Sequence, residues 1–133
     1  MIYSVDTCVL LDVLLPDPIH GIRSRETLKK ASENGSLAIC SIVYTELCPQ
    51  FDARTSLDVF LNETGINVLP FTREILWKAG MEWKGYLKRG GQGKDRIIPD
   101  FLIGSFSFVK AEAIITRDKS FYKEYFQLDV YYD

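Results

Sequence analysis

Short apolar segments alternate with helix-forming segments along the chain, and this alternation is the feature that most constrains its fold. The apolar segments span 2–5, 37–40, 66–69 and 113–115, and 128–132 is a candidate fifth. Each of the first four is apolar at nearly every position, as expected of a strand that is covered on both faces. Strands of this kind separated by helices predict a parallel sheet. We therefore expect an α/β fold, a three-layer α/β/α sandwich around a central parallel sheet of four to five strands.

Residues that start or stop helices delimit the segments between these strands. Pro16 ends the first helix, Gly35 the second and Gly65 the fourth, while Ser41 and Thr72 are expected to cap the third and fifth. Pro99 suits the first turn of the sixth helix. The predicted helices span 7–15, 24–33, 41–49, 55–63, 73–88, 99–110 and 121–126.

Length and composition are typical of one soluble globular domain. The chain has 133 residues, of which 47% are apolar and 26% charged, with a formal net charge of −2. We expect a single domain over 1–133. No apolar run reaches the ~20 residues that cross a bilayer, and no signal peptide is recognisable, so we expect a cytoplasmic protein without a membrane segment.

The cysteines and the single histidine offer little for catalysis. Cys8, Cys40 and Cys48 have no metal-ligand spacing and lie among apolar residues, so we expect reduced, buried thiols. His20 lies in a turn-rich stretch and is interpreted as a solvated loop residue. Carboxylates are therefore the better candidates for chemistry.

Four acids lie at positions that can share one edge of the sheet. Asp6 and Asp118 follow the first and fourth strands, and ligands of such sheets bind beyond the carboxyl ends of the strands. Asp100 lies in the first turn of a helix, and Glu46 lies one turn into another, beside apolar residues. Each acid also has a structural interpretation, as a helix cap, a turn residue or a solvated helix residue.

Electrostatics indicates what a cluster of these acids would bind. Two carboxylates ~5 Å apart repel by roughly 3 kcal/mol at an effective dielectric constant near 20. A cation or protonation must relieve this repulsion. Oxygen ligands without His or paired Cys favour Mg²⁺ or Mn²⁺ over Zn²⁺, and such an ion suits phosphoryl chemistry. Thr7 and Thr116 are candidates to orient the carboxylates, or alternatively ordinary residues that cap a turn.

The order and spacing of four segments resemble PIN-domain ribonucleases, and particularly the toxins of VapC-type toxin–antitoxin pairs. The segments are 5–10, 41–47, 99–104 and 115–121, and the resemblance spans essentially the whole chain. It implies RNA cleavage assisted by Mg²⁺ or Mn²⁺, a homodimer and an antitoxin that occupies the cleft. The catalytic and metal residues implied are Asp6, Glu46, Asp100 and Asp118, with Thr116 as the hydroxyl residue two before the last acid. Ser120 stands where many relatives carry a further acid.

A basic segment leads into Asp100. Residues 73–96 hold seven Lys or Arg and three acids, whereas the remainder of the chain has a net charge of −6. We expect this segment to guide an RNA backbone to the acids, with Lys88, Arg89, Lys94 and Arg96 as candidate substrate-binding residues. A solvated helix face is the alternative. The glycines at the end of the segment 73–96 predict a mobile flap. Asp95 is expected in solvent or at the edge of the cleft. Of Trp77 and Trp83, one is expected to be exposed.

Other functions remain open from sequence alone. A non-catalytic or housekeeping RNA-binding or RNA-processing module of the same kind would carry the same acids. A phosphatase of the haloacid-dehalogenase kind shares the architecture but would need a second acid two residues after Asp6, where this chain has Cys8.

Overall fold

The computed structural model describes residues 1–132, and its centre is a sheet of five parallel strands. The strands lie in the order β3-β2-β1-β4-β5, and every neighbouring pair is parallel. Seven α-helices of the described chain flank the sheet. The predicted three-layer α/β/α sandwich is confirmed.

The strands are short and the helices carry most of the ordered chain. The strands are β1 Ile2–Val5, β2 Ser36–Ile39, β3 Ile66–Val68, β4 Ala113–Ile115 and β5 Asp129–Val130. The helices are α1 Thr7–Leu14, α2 Gly21–Asn34, α3 Ser41–Leu47, α4 Arg54–Glu63, α5 Arg73–Lys88, α6 Ile98–Lys110 and α7 Lys119–Phe126, with a 3-10 helix Cys48–Gln50 after α3.

Several local predictions were wrong. Ser41 is the first residue of α3 rather than its cap, because Cys40 before it is the last residue in extended conformation. Helix α2 begins at Gly21, three residues before the predicted start at residue 24. A turn precedes it, in which Asp17 accepts hydrogen bonds from the backbone N–H groups of Ile19 and His20. Strand β5 spans only two residues.

The cysteines are all free but not all buried. Only Cys40 is buried, whereas Cys8 is partly buried and Cys48 is exposed. The prediction of three buried thiols was therefore wrong for two of them.

The core lies on both faces of the sheet, and β1 and β4 pass through its middle. Ile114 and Ile115 of β4 are fully buried. On one face, Phe101 of α6 is the centre of an aromatic cluster, with ring centroids 5.4 Å from Trp83 and 5.3 Å from Phe121. This cluster joins α5, α6 and α7, the elements next to the candidate acids.

The two tryptophans of α5 differ in exposure as predicted. Trp77 is 70% exposed, whereas Trp83 is partly buried and stacks on Tyr86. Within residues 1–132, no helix combines the length and apolar character that crossing a bilayer requires.

Candidate active site

The middle strand β1 and its neighbour β4 end side by side, and this places Asp6 next to the segment 116–118. The backbone N–H of Asp6 donates to the carbonyl of Ile115 at 2.9 Å, which continues the β1–β4 pairing by one residue. The fully buried Thr116 hydroxyl donates to Asp6 Oδ2 at 2.7 Å and accepts from the backbone N–H of Asp118 at 3.0 Å. One hydroxyl therefore fixes two of the four acids.

Asp6 also caps helix α1. Its side chain accepts a hydrogen bond from the backbone N–H of Thr7 at 2.8 Å. The capping interpretation raised from the sequence thus holds for Asp6 alongside its place beside Thr116. A carboxylate at a helix N-terminus is stabilised by the free N–H groups there.

A second hydroxyl connects the neighbouring helix. Thr7 Oγ1 donates to Glu46 Oε1 at 2.6 Å, so α3 is joined to the start of α1. Glu46 is exposed, although several of its neighbours in the sequence are apolar. Its position beside Thr7 nevertheless brings it to the edge where Asp6 lies.

Asp100 reaches the same region from the first turn of α6. Its Oδ2 accepts from the backbone N–H of Ile97 at 3.1 Å. Burial raises the pKa of Asp100, and the charge of Asp118 raises it further. Burial likewise raises the pKa of Asp6, to which the charges of Asp100 and Glu46 add. Asp6 and Asp100 therefore each lie close enough to another of the four acids for its charge to act on them.

Arg96 supplies a positive charge to this group. Its Nη1 lies 2.5 Å from Asp118 Oδ2 and its Nη2 lies 3.2 Å from Oδ1, a bidentate ion pair. The guanidinium carbon lies 4.2 Å from the centroid of the Phe121 ring. The predicted substrate-binding arginine thus stands at the acids.

The carboxylate oxygens of these acids are chemically suited to a hard divalent cation, but the side chains are not arranged around one. Within residues 1–132, no group of three or more His, Cys, Asp or Glu side chains is arranged to hold a metal ion. Arg96 uses both oxygens of Asp118, but no described group donates to Asp100 Oδ1 or to Glu46 Oε2. Two carboxylate oxygens therefore stay free for a cation, which is the ligand chemistry of Mg²⁺ and Mn²⁺.

Cys8 adds no soft ligand to this set. Its Sγ lies 3.8 Å from Asp6 Oδ2, and burial together with the charge of Asp6 raises the pKa of the thiol to about 11. Because a thiol must lose its proton to bind a metal well, the site stays an oxygen site at neutral pH.

Comparison with known protein families assigns the chain to one of them. The sequence model of the PIN domain matches residues 3–126, which includes all four acids and Thr116. The chain belongs to the PIN domain family. No curated protein sequence matched it at a significant level.

Solved structures support the PIN fold. A chain of the Rickettsia felis structure described as "VapBC2 bound to a DNA fragment from their promoter" is 20% identical, with a TM-score of 0.75 and coverage of 98% of this chain and 97% of that one. A chain of VapBC-1 from nontypeable Haemophilus influenzae is 18% identical, with a TM-score of 0.74 and coverage of 98% and 96%. A chain of FitAcB from Neisseria gonorrhoeae is 17% identical, with a TM-score of 0.63 and the same coverage.

The other basic residues predicted for substrate binding form no ion pair with the four acids in the described part of this PIN domain. Lys88 and Lys94 are exposed. The Arg89 guanidinium carbon lies 5.1 Å from the Tyr125 ring centroid, and Arg89 lines a cavity of about 350 Å³ between α5, α6 and α7. Only Arg96 of the four contacts an acid of the site, within the described residues.

The glycine-rich segment after α5 is tied down rather than free. The Tyr86 hydroxyl donates to Asp95 Oδ1 and accepts from the backbone N–H of Gly93 at 3.1 Å. Asp95 thus anchors the loop that carries Arg96, a role that neither sequence interpretation of this residue included. The expectation of a freely mobile flap has no support in these contacts.

Two further features of the PIN domain escaped the sequence analysis. Buried Asp12 accepts two hydrogen bonds from Arg117, at 2.9 and 3.0 Å, and one from Ser24 at 2.6 Å, which holds the segment between Thr116 and Asp118. An acid inside the apolar helix α1 was the signal that could have revealed it. Tyr122 is also buried, and burial together with the charges of nearby acids, Asp6 among them, raises its pKa well above the usual range. No sequence pattern marks this tyrosine.

Proposed function

We propose that this PIN domain is a metal-dependent endoribonuclease that hydrolyses RNA phosphodiester bonds. The observation that supports this proposal is the set of contacts at the ends of β1 and β4, where the Thr116 hydroxyl contacts both Asp6 and the backbone of Asp118. The Thr7 hydroxyl holds Glu46 beside them, and the charge of Asp100 raises the pKa of Asp6. Asp6 caps α1 and Asp118 pairs with Arg96, but these separate contacts give no reason to place carboxylates that repel one another at the same edge. Binding of a divalent ion between the carboxylates would give such a reason.

Asp6, Asp100 and Asp118 would hold Mg²⁺ or Mn²⁺, with Glu46 as a further ligand or as the group that positions the attacking water. When bound, the ion supplies a Lewis acid for the phosphate and lowers the pKa of water. The free oxygens of Asp100 and Glu46 favour these assignments.

The chain's own hydroxyls would keep this geometry. Thr116 holds Asp6 by a 2.7 Å hydrogen bond, and Thr7 holds Glu46 by one of 2.6 Å. Glu46 is exposed, so its free oxygen can accept a proton from water beside the scissile phosphate. Arg96, with Lys88, Arg89 and Lys94 further along the segment, would contact the phosphates of the RNA.

The biological role we propose is that of the toxin in a toxin–antitoxin pair. The similar solved structures include VapBC2, bound to a DNA fragment from their promoter, and VapBC-1. For this chain we propose a single domain over 1–133, a cytoplasmic location, a homodimer and a cognate antitoxin. A neighbouring reading frame that encodes a small DNA-binding protein, and that restores growth when both are expressed, would support the toxin role; growth unaffected by this chain alone would contradict it.

A non-catalytic RNA-binding module is the second candidate, and one observation favours it. The Arg96–Asp118 ion pair already neutralises one acid of the site without a metal ion. A protein that only binds RNA would bind it equally well in Mg²⁺ and in EDTA, and would leave it intact.

Cleavage of a mixed single-stranded and structured RNA separates these candidates. We expect cleavage in Mg²⁺ or Mn²⁺, none in EDTA, and a loss of at least about hundredfold in Asp6→Asn. Glu26→Gln removes an exposed acid of α2 and is the matched control, with activity unchanged. RNA that stays intact in both ions, or an Asp6→Asn variant with the wild-type rate, would contradict the proposal.

A further inference from the structure

Arg96 occupies the position of a counter-cation in the acidic site. Its two terminal nitrogens contact both oxygens of Asp118, at 2.5 and 3.2 Å, and its charge also lowers the pKa of Asp100. The planar guanidinium lies over the Phe121 ring. Bidentate pairing and stacking together restrict the position of this guanidinium, whereas the guanidinium of an unpaired surface arginine moves freely.

The loop before α6 is built to place this arginine. Tyr86 is buried, stacks on Trp83 with centroids 5.2 Å apart, and bonds Asp95 and Gly93 through its hydroxyl. Gly93 has a φ of 72°, which other residues adopt only with strain. The residue immediately before Arg96 is therefore anchored to the core of the domain.

We infer that Arg96 is a resident cation that a divalent ion must displace from Asp118, so that the loop between α5 and α6 sets the metal affinity of the site. This inference rests on the proposed metal-dependent function. A divalent ion that ligates Asp118 needs an oxygen that Arg96 now occupies, and its charge repels the guanidinium at short range. With Asp118 bound to such an ion, Arg96 would no longer be held by the carboxylate and would be available to a phosphate of the RNA.

The present structure supports competition rather than cooperation between the two cations. Arg96 contacts both carboxylate oxygens of Asp118, so a second cation bound to Asp118 would meet the guanidinium charge at short range. An arginine that merely supported the metal site would leave the ligand oxygens free. Arg96 therefore acts on metal binding through Asp118, as a positioning residue and not as a ligand.

The test is the affinity for Mn²⁺, measured on the metal-free protein without RNA by the electron paramagnetic resonance signal of the free ion. Arg96→Gln removes the competing charge, and we expect it to bind Mn²⁺ about tenfold more tightly than wild type. Arg96→Lys keeps the positive charge but cannot donate two parallel hydrogen bonds to the carboxylate. We expect its Mn²⁺ affinity to lie between those of wild type and Arg96→Gln. Arg89→Gln makes the same substitution on an arginine that stacks on Tyr125, and we expect its affinity to stay within about twofold of wild type.

The outcomes separate this inference from the function it rests on. Arg96→Gln with wild-type or weaker affinity overturns the inference but leaves metal dependence standing. Equal gains in Arg96→Gln and Arg89→Gln also overturn it, because general charge would then explain the result. If no protein binds Mn²⁺, wild type and variants alike, both the inference and the metal-dependent function fail. Circular dichroism verifies each fold, and Arg96→Lys carries the test if Arg96→Gln does not fold.

Discussion

At the scale of single residues, burial and repulsion shape how the acids of this PIN domain bind protons. The pKa of Asp6 and that of Asp100 are raised above the ordinary value of 3.8, mainly by burial. The folded protein therefore binds these protons more tightly than the unfolded chain does. The stability contributed by each group falls as pH rises from 3.8 through the raised pKa, and stays low at neutral pH. At neutral pH, the burial of these two carboxylates therefore lowers the stability of the folded protein, as functional groups often do.

Replacing Asp100 with Asn should stabilise the metal-free protein at neutral pH. Asn keeps an oxygen for the backbone N–H of Ile97 and removes the buried charge near Asp118. We expect the melting temperature at pH 7 to rise by about 2–4 °C, with the difference vanishing as the pH approaches 3.8. Thermal melts in EDTA across this pH range measure it. A lower melting temperature for Asp100→Asn at pH 7 would contradict the account.

The Thr116 hydroxyl should contribute to activity through its hydrogen bonds and not only through the volume of the side chain. Thr116→Val keeps the shape but removes the donor to Asp6 and the acceptor for the Asp118 N–H. We expect the RNA cleavage rate to fall about 10–100-fold, since groups that orient ligands have effects of this order. Thr116→Ser keeps the hydroxyl and should retain most activity. Equal rates in the Val and Ser variants would show that the hydroxyl is not needed.

At the scale of helices and strands, the sequence predicts what depends on local pattern and misses what depends on packing. Strands β1 and β4 follow from their nearly continuous apolar sequence, and Asp6 and Asp118 are predicted site residues because each follows one of them. The roles of Asp12 and Tyr86 depend on partners brought close only by the packed helices. The start of α3 was missed because a serine at a helix start fits both the cap and the first turn.

The contact between α6 and α7 provides a test at this scale. A Cβ added at Gly104 would lie 2.3 Å from the Phe126 ring, whereas one at Gly80, exposed on α5, would meet nothing within 4 Å. We expect Gly104→Ala to lower the free energy of unfolding by about 1–3 kcal/mol. The control Gly80→Ala should raise it by about 0.5–1 kcal/mol. Urea unfolding compares the two, and equal effects would mean that α6 and α7 are not packed so closely.

At the scale of the whole molecule, charge is unevenly distributed despite a net charge of only −2. Asp6 and Asp118 lie side by side at the carboxyl ends of β1 and β4, and the segment 73–96 carries a local charge of +4. Within that segment, Lys88 and Lys94 are exposed, whereas Arg96 is already paired with an acid. A basic approach to an acidic centre suits a polyanionic substrate that must reach a metal ion.

The lysines should contribute to RNA binding through phosphate contacts. In Asp6→Asn protein with EDTA, Lys88→Gln and Lys94→Gln should each weaken binding of single-stranded RNA regardless of its sequence. Each should also reduce the slope of log affinity against log salt by ~0.7. Lys29→Gln, an exposed lysine of α2, is the control with an unchanged slope. Unchanged slopes in all three variants would place the RNA elsewhere.

The most direct test of the central claim, that the acids act as one centre, is a double-mutant cycle on Asp6 and Asp100. The measurement is the single-turnover rate of RNA cleavage at saturating Mn²⁺ for wild type, Asp6→Asn, Asp100→Asn and the double variant. We expect each single substitution to lower the rate at least about hundredfold, and the double variant to be only slightly slower than the slower single variant. Losses that multiply in the double variant, or a single variant with the wild-type rate, would contradict a shared centre.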